Sequence, residues 1–206
     1  MQSIDDIKLG HQKFLETLTE ADKIKYQELA KGQSPNIFVI SCADSRVEPN
    51  VILNSDPGQI FTVRNVANLI PPYSPDGKLH GTSAALEFAV TALKIGIILV
   101  LGHTGCGGIK ACLARKPVTV PDNNSFILPW VEIAAEARYH VVRSHPDATE
   151  EEKASLLEKE AIRLSMRNLT GFPFIQEAVR NNQLQIAGAV FDVENAQLNW
   201  VEKPAV

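Results

Sequence analysis

Two cysteines and one histidine in this chain have the residue types and the spacing of a metal site. Cys42 ends an apolar run that begins at Ile37, and His103 and Cys106 directly follow a second apolar run, residues 97–101. Thiolates and an imidazole are ligands that suit tetrahedral Zn²⁺. Structural zinc sites usually have four protein ligands, whereas three ligands and an exchangeable water are typical of catalytic sites. The pattern therefore favours a catalytic zinc site over cysteines that are simply buried apolar residues.

Two charged residues after the first cysteine bear on how many ligands the metal would have. Asp44 lies two residues after Cys42, and Arg46 two residues after Asp44. Asp44 is either a fourth ligand, which closes the site, or a hydrogen-bond acceptor for a metal-bound water. A guanidinium binds a carboxylate through two parallel hydrogen bonds and keeps it ionised. We therefore expect Arg46 to hold Asp44 away from the metal, although an ion pair that only fixes a loop has the same pattern.

The candidate ligands follow runs that are typical of buried parallel strands. Short apolar runs bounded by polar residues indicate strands that are covered on both faces. Parallel strands place ligands beyond their carboxyl ends, so we expect Cys42 and His103 to meet at the mouths of neighbouring strands. Strands and helices alternate through the middle of the chain, which predicts a mainly parallel α/β sheet with a terminal hairpin at its edge. The other predicted strands are residues 59–65, 185–192 and 197–201.

Helical patterns fill most of the remaining chain. Apolar residues at helical spacing predict one broken or two short amphipathic helices over residues 3–31, which need a surface to cover. Thr149 and Glu152 form a capping box that begins a long helix, and Pro173 begins another. Further helices are predicted over residues 47–54, from Thr82 or Ser83 to Lys94, over 109–114 and over 130–142, with loops at 71–77 and 116–124.

Composition limits the class of protein. The 206 residues are 45% hydrophobic, which is enough for one globular domain with a core. The formal net charge of −4 gives no basic surface for nucleic acid, and no apolar run is long enough to cross a membrane. The chain starts with acids where a signal peptide is basic and then apolar, and three cysteines do not make a disulfide framework. We expect a cytoplasmic protein with a single domain over residues 1–206.

The motifs around these residues resemble the paired signature of the β-class carbonic anhydrases, in particular the members with an open metal site. The resemblance is strong from about Gly32 to Leu113 and weaker beyond, through Glu158-Lys-Glu-Ala161 and Phe172-Pro-Phe174. The motifs that carry it are Cys42-Ala-Asp-Ser-Arg46, His103-Thr-Gly-Cys106-Gly-Gly, Arg64-Asn-Val-Ala-Asn68 and Gly32-Gln-Ser-Pro35.

The resemblance implies an enzyme that reversibly hydrates carbon dioxide to bicarbonate and a proton. It implies one Zn²⁺ per subunit, held by Cys42, His103 and Cys106, with a zinc-bound hydroxide as the nucleophile. Zinc lowers the pKa of its water from 15.7 to about 7 in a carbonic anhydrase with three histidine ligands. Asp44 would orient the hydroxide by accepting its proton, and Arg46 would keep Asp44 in place.

The resemblance also implies a fold and a substrate pocket. The family fold is a sheet of four parallel strands and one antiparallel strand flanked by helices, with an N-terminal helical arm, residues 1–31 here, on a partner subunit. We therefore expect a homodimer or a higher homo-oligomer. Carbon dioxide is apolar, so a narrow apolar pocket with one donor suits it. By motif position the pocket residues are Gln33, Phe61, Val66, Phe88 and Gly107, although the three apolar ones also fit core packing.

Two other functions fit the same residues. Hydrolysis of carbon disulfide or carbonyl sulfide is performed by members of this family with the same metal ligands. A non-catalytic zinc-binding protein would use Asp44 as the fourth ligand. Assays on both kinds of substrate, together with the identity of the fourth ligand, separate these functions from carbon dioxide hydration.

Overall fold

The computed structural model describes residues 3–115 and 125–202. The described residues fall into two compact units, which divide between Ser34 and Pro35. Within the described ranges, no helix is both long and apolar enough to cross a lipid bilayer. The strands are β1 (Ile37–Cys42), β2 (Ile60–Asn65), β3 (Ile97–His103), β4 (Gln185–Asp192) and β5 (Gln197–Val201). The helices are α1 (Ile4–Thr17), α2 (Glu20–Leu29), α3 (Pro49–Ile52), α4 (Gly81–Glu87), α5 (Gly107–Ala114), α6 (Ile127–Val131), α7 (Ala135–Ser144), α8 (Glu150–Leu169) and α9 (Pro173–Arg180).

The N-terminal unit consists of the two helices that the apolar spacing predicts. Each begins with a capping box: Ser3 and Asp6 cap α1, and Thr19 and Asp22 cap α2. Reciprocal bonds of this kind satisfy two of the free N–H groups at a helix start. Neither helix, each of which is described in full, has a buried residue, and Ile4, Ile7 and Ile24 are among the exposed apolar side chains. Their apolar stripes are therefore free to cover another surface.

The second unit is built on one five-stranded sheet with the order β2-β1-β3-β4-β5. The first four strands are parallel, and β5 pairs with β4 in the antiparallel direction. This confirms the predicted α/β fold of four parallel strands and an antiparallel edge strand. Because β1 and β3 are hydrogen-bonded neighbours, their carboxyl ends lie side by side, and Cys42 and His103 are the last residues of these two strands.

The core occupies both faces of the sheet and the space beyond its carboxyl end. Successive side chains of a strand point to opposite faces. Phe38 and Ile40 of β1 accordingly pack in one cluster with residues of α4, α8 and α9, and Val39 packs in another with Val47. A third cluster contains Cys42 and Cys106 together with apolar residues of α5, α7 and α8. Helices therefore cover the carboxyl ends of β1 and β3 and bury the two cysteines there.

Most predicted elements agree with the structure, and the differences have local causes. The helix expected to begin at Thr82 or Ser83 begins at Gly81 with no side-chain cap, because Thr82 is buried and its hydroxyl accepts a hydrogen bond from Asn65 Nδ2 at 3.2 Å. Residues 88–92 continue this helix as a π turn. The helix predicted over 130–142 begins at Ile127 and is interrupted by a 3₁₀ turn at 132–134. The predicted loop at 116–124 lies outside the described residues.

α8 packs closely against the sheet at Gly188. A Cβ atom on Gly188 would lie 2.6 Å from Ile162 Cγ2 and 3.0 Å from Met166 Sδ, both on α8. The Cγ2 methyl is attached to Cβ and has little freedom to move away. We expect Gly188→Ala to lower the free energy of unfolding by about 1–3 kcal/mol because the core would be overpacked. Chemical denaturation measures this change.

Gly81→Ala is the matched control for this prediction. A Cβ on Gly81 has no atom within 4 Å among the described residues, and alanine favours the first turn of α4. We expect its stability to stay within about 0.5 kcal/mol of the parent. Equal stability of the two variants would contradict the packing argument.

Candidate metal centre

Cys42, His103 and Cys106 come together at the carboxyl ends of β1 and β3. Their ligand atoms all lie within 4.8 Å of one another, and the three residues are buried. The two sulfur atoms are 3.9 Å apart. A tetrahedral zinc ion with Zn–S bonds of about 2.3 Å holds two sulfurs about 3.8 Å apart. The donor set, its separation and its burial therefore fit Zn²⁺.

His103 presents one ring nitrogen to this group and uses the other to fix its orientation. Its Nδ1 is 3.0 Å from the Thr104 carbonyl oxygen, which can only accept, so Nδ1 carries the proton. Nε2 then has a free lone pair, and it has no hydrogen-bond partner among the described residues although it is buried. A buried nitrogen without a partner is costly unless something binds it. A metal ion would satisfy this nitrogen.

The surroundings of the two thiols shift their pKa values in opposite directions. The hydrogen bond from Cys106 lowers the pKa of Cys42 to about 4, although burial acts to raise it. The N–H groups of Asp44 and Ala67 also lower the pKa of Cys42. The same bond and burial raise the pKa of Cys106, while N–H groups of Gly108 and Ile109 oppose the rise. The N–H groups near both sulfurs therefore favour the thiolate form that metals bind.

Asp44 and Arg46 form the bidentate pair that the sequence predicts. Arg46 Nε donates to Asp44 Oδ1 at 2.9 Å, and Nη2 donates to Oδ2 at 2.8 Å. These bonds, with the Arg46 backbone N–H, hold the pKa of Asp44 well below its usual range. Arg46 is fixed in turn by a bond to the Gly105 carbonyl at 3.2 Å, and Asp44 Oδ2 lies 3.7 Å from His103 Nε2. An ionised carboxylate therefore stands beside the three candidate ligands.

Arg64 holds the backbone of the segment that carries Cys42 and Asp44. Its Nε donates to the Cys42 carbonyl at 3.1 Å and its Nη2 to the Asp44 carbonyl at 2.8 Å. Its Nη1 pairs with Glu48 at 2.8 Å. Because a planar guanidinium has its donors in a fixed arrangement, these three bonds define the path of the chain from Cys42 to Glu48.

Glu158 of α8 holds the other ligand-bearing loop. Its side chain is buried, and Oε1 accepts a hydrogen bond from the Cys106 backbone N–H at 3.0 Å. Burial raises the pKa of Glu158, and the N–H groups of Cys106 and Gly105 act in the opposite direction. Gly105 has φ +69°, a left-handed conformation that glycine adopts without strain. A buried acid therefore contacts the loop directly before a candidate metal ligand.

The predicted pocket residues are partly brought together. Val66 packs close to Gly108, where an added Cβ would lie 2.7 Å from Val66 Cγ1, and Gly107 is the first residue of α5. Phe61 and Phe88 pack on each other with ring centroids 5.9 Å apart, and Phe88 is 48% exposed. Gln33 belongs to the N-terminal unit. The assignment of these five residues to a substrate pocket remains a prediction.

Sequence reasoning missed what Arg64 and Glu158 do. Both residues lie in motifs quoted above, but Arg64 binds carbonyl groups and Glu158 binds N–H groups, and backbone partners leave no pattern in a sequence. One signal was available for Glu158. It occupies the apolar stripe of α8, between Ala154 and Ala161, where an acid is out of place unless it has a buried partner.

Comparisons with known proteins agree with this geometry. The family model for carbonic anhydrase matches residues 37–198. "Beta carbonic anhydrase 3" of Arabidopsis thaliana is 40% identical over 192 residues, which is 93% of this chain and 74% of that protein. The structure of the β-carbonic anhydrase CcaA superposes with a TM-score of 0.89 at 29% identity, covering 97% of this chain and 95% of that one. CafA of Aspergillus fumigatus superposes with a TM-score of 0.87 at 26% identity, covering 98% and 92%. The chain therefore belongs to the β-class carbonic anhydrase family.

Proposed function

We propose that this protein catalyses the reversible hydration of carbon dioxide to bicarbonate and a proton. The observation that carries the proposal is the group formed by two thiols and an unpartnered imidazole nitrogen, with an ionised carboxylate beside it. The family uses zinc, and Cys42, His103 and Cys106 are the residues that would hold it. When bound, zinc supplies a Lewis acid that makes water a nucleophile at neutral pH. Family membership supports the same reaction.

We propose that Asp44 orients the nucleophile by accepting a hydrogen bond from it, and that Arg46 sets the position of Asp44. Arg46 bonds to both carboxylate oxygens, so the carboxylate cannot turn freely toward a ligand position. This favours an open site over the non-catalytic alternative in which Asp44 is the fourth ligand. Because its pKa is lowered, Asp44 stays ionised as the pH falls through the usual aspartate range, and at neutral pH it can accept a hydrogen bond from the nucleophile.

We propose that carbon dioxide binds against apolar side chains and one peptide donor. Val66 and Phe88 are apolar and partly exposed, which suits a substrate that offers little to hydrogen-bond. Gly107 begins α5, where N–H groups have no partner within the helix, so its N–H is available to a substrate oxygen. Phe61 and Gln33 complete the proposed set by motif position.

We propose a homodimer or higher homo-oligomer as the working form. The apolar side chains on α1 and α2 are exposed, and a second copy would cover them. Relatives with the same fold from Sordaria macrospora are described as tetrameric. A cytoplasmic location and a single functional domain over residues 1–206 remain predictions from the sequence.

Stopped-flow measurement of carbon dioxide hydration tests the proposed function. We expect the zinc-loaded protein to accelerate hydration, the chelator-treated protein to be inactive, and added zinc to restore the rate. Carbon disulfide and carbonyl sulfide are measured in parallel, because the same ligands serve their hydrolysis in this family. A zinc-loaded protein that hydrolyses only the sulfur compounds, or acts on none of the three, would refute the proposal.

Asp44→Asn tests the role of the carboxylate. Asparagine has nearly the same shape but is neutral and leaves Arg46 without its charged partner. We expect kcat/KM for hydration to fall by about 10²-fold or more, while zinc content, measured by atomic absorption, stays unchanged. Ser45→Ala, an exposed neighbour, is the control and should retain at least half of the activity. Normal hydration by Asp44→Asn would show that this assignment is wrong.

Arg64→Lys tests whether the guanidinium defines the Cys42 segment. Lysine keeps the charge but cannot reach two carbonyls and Glu48 together. We expect the free energy of unfolding of the metal-free protein to fall by about 1.5–3 kcal/mol, the range for hydrogen bonds to charged groups. Denaturant titration gives the value.

Glu48→Gln is the control for Arg64→Lys, because it weakens only the ion pair of a half-exposed carboxylate. We expect a loss of under about 1 kcal/mol. If the two variants were equally stable, the carbonyl contacts of Arg64 would not matter to the fold.

A further inference from the structure

Glu158 is a buried acid that accepts a hydrogen bond from a backbone N–H group. The residue is 5% exposed, and the Cys106 N–H donates to its Oε1 at 3.0 Å. Its neighbours on α8, Leu157 and Ala161, belong to the apolar cluster around the cysteines. A buried carboxylate is costly unless hydrogen bonds compensate for the lost water. The hydrogen bond to the Cys106 backbone therefore accounts for an acid at this buried position.

The loop that Glu158 binds carries a candidate metal ligand. The Cys106 N–H donates to Glu158 Oε1 at 3.0 Å, and the N–H groups of Gly108 and Ile109 oppose the rise in the pKa of the Cys106 thiol. The turn is thus held by a buried carboxylate at the residue that carries the sulfur. Gly105, directly before Cys106, has the left-handed conformation that glycine adopts without strain.

This contact lies next to the Cys106 side chain. Cys106 directly precedes α5, and the contact fixes its own peptide N–H, one bond from the Cα that carries the thiol. The sulfur lies 3.9 Å from that of Cys42, close to the separation that a tetrahedral metal requires. Glu158 lies on α8, a 20-residue helix that packs on the sheet, so its carboxylate holds the loop in a fixed position relative to the sheet.

We propose that Glu158 is a positioning residue of the metal centre: by accepting the backbone N–H of Cys106, it fixes the Cys106 sulfur for metal binding and slows loss of the metal. The proposal rests on the metal site of the proposed function and does not involve the substrate. Groups that orient metal ligands from outside the ligand set commonly change metal affinity by 10–100-fold.

The test compares Glu158→Ala and Glu158→Gln with the control Glu160→Gln. Alanine removes the acceptor, whereas glutamine keeps one oxygen that can accept an N–H. Glu160 lies on the same helix and pairs with Arg163 at the surface. Zinc-loaded proteins are mixed with a chromophoric chelator, and the rate of zinc release is recorded under native conditions. Cobalt-substituted proteins are compared by their thiolate-to-cobalt absorption.

We expect Glu158→Ala to release zinc at least about 10-fold faster than the parent and to show an altered cobalt spectrum. Glu158→Gln should release zinc at an intermediate rate, because one oxygen still accepts, and Glu160→Gln should match the parent. Release from both Glu158 variants at the rate of Glu160→Gln, with an unchanged cobalt spectrum, would overturn the proposal even if their stability fell.

Glu158→Gln decides the question if the alanine variant does not fold. Faster zinc release than from Glu160→Gln supports the positioning role, and equal release overturns it. Neither readout uses carbon dioxide. Failure of the hydration assay would therefore leave this result standing, and parent-like zinc release would refute the role of Glu158 while hydration activity stands.

Discussion

Parallel hydrogen bonding between β1 and β3 is the constraint on which the site depends. It aligns the carboxyl ends of two strands that are separated in the chain by β2 and α4. Cys42 ends one strand and His103 the other, so the ladder that forms the sheet also brings a thiol and an imidazole together. Cys106 follows within a short turn, and its sulfur completes the group. The sheet therefore positions Cys42 and His103, and the turn after β3 positions Cys106.

Two charged side chains of opposite sign hold the backbone on either side of this group. Arg64 binds the carbonyl groups of Cys42 and Asp44, while Glu158 binds the backbone N–H of Cys106. The positive guanidinium binds carbonyl oxygens, and the negative carboxylate binds an N–H group. In both segments other N–H groups remain directed at the cysteine sulfurs. The peptide groups thus stabilise thiolates, and the charged side chains restrain the peptide groups.

Much of the fold and the ligand set was predictable because local patterns carried them. The apolar runs at β1 and β3 gave the strands, their neighbouring polar residues gave the metal group, and the short spacing of Asp44 and Arg46 gave their pair. The contacts of Arg64 and Glu158 were not predictable, because their acceptors and donors are backbone atoms. The start of α4 was mispredicted because Thr82 bonds to Asn65, a partner seventeen residues away. Local sequence patterns do not predict hydrogen bonds between residues that are far apart in the chain.

The topology of the sheet also bears on when the metal can bind. Cys42 ends β1, His103 ends β3 and Cys106 follows β3, so the three ligands meet only once β3 has docked beside β1. An unfolded chain holds no preformed binding site, so metal uptake waits for that docking. Acquisition of the ion therefore reports that the centre of the sheet is assembled, and the ion then ties together segments that synthesis produced far apart.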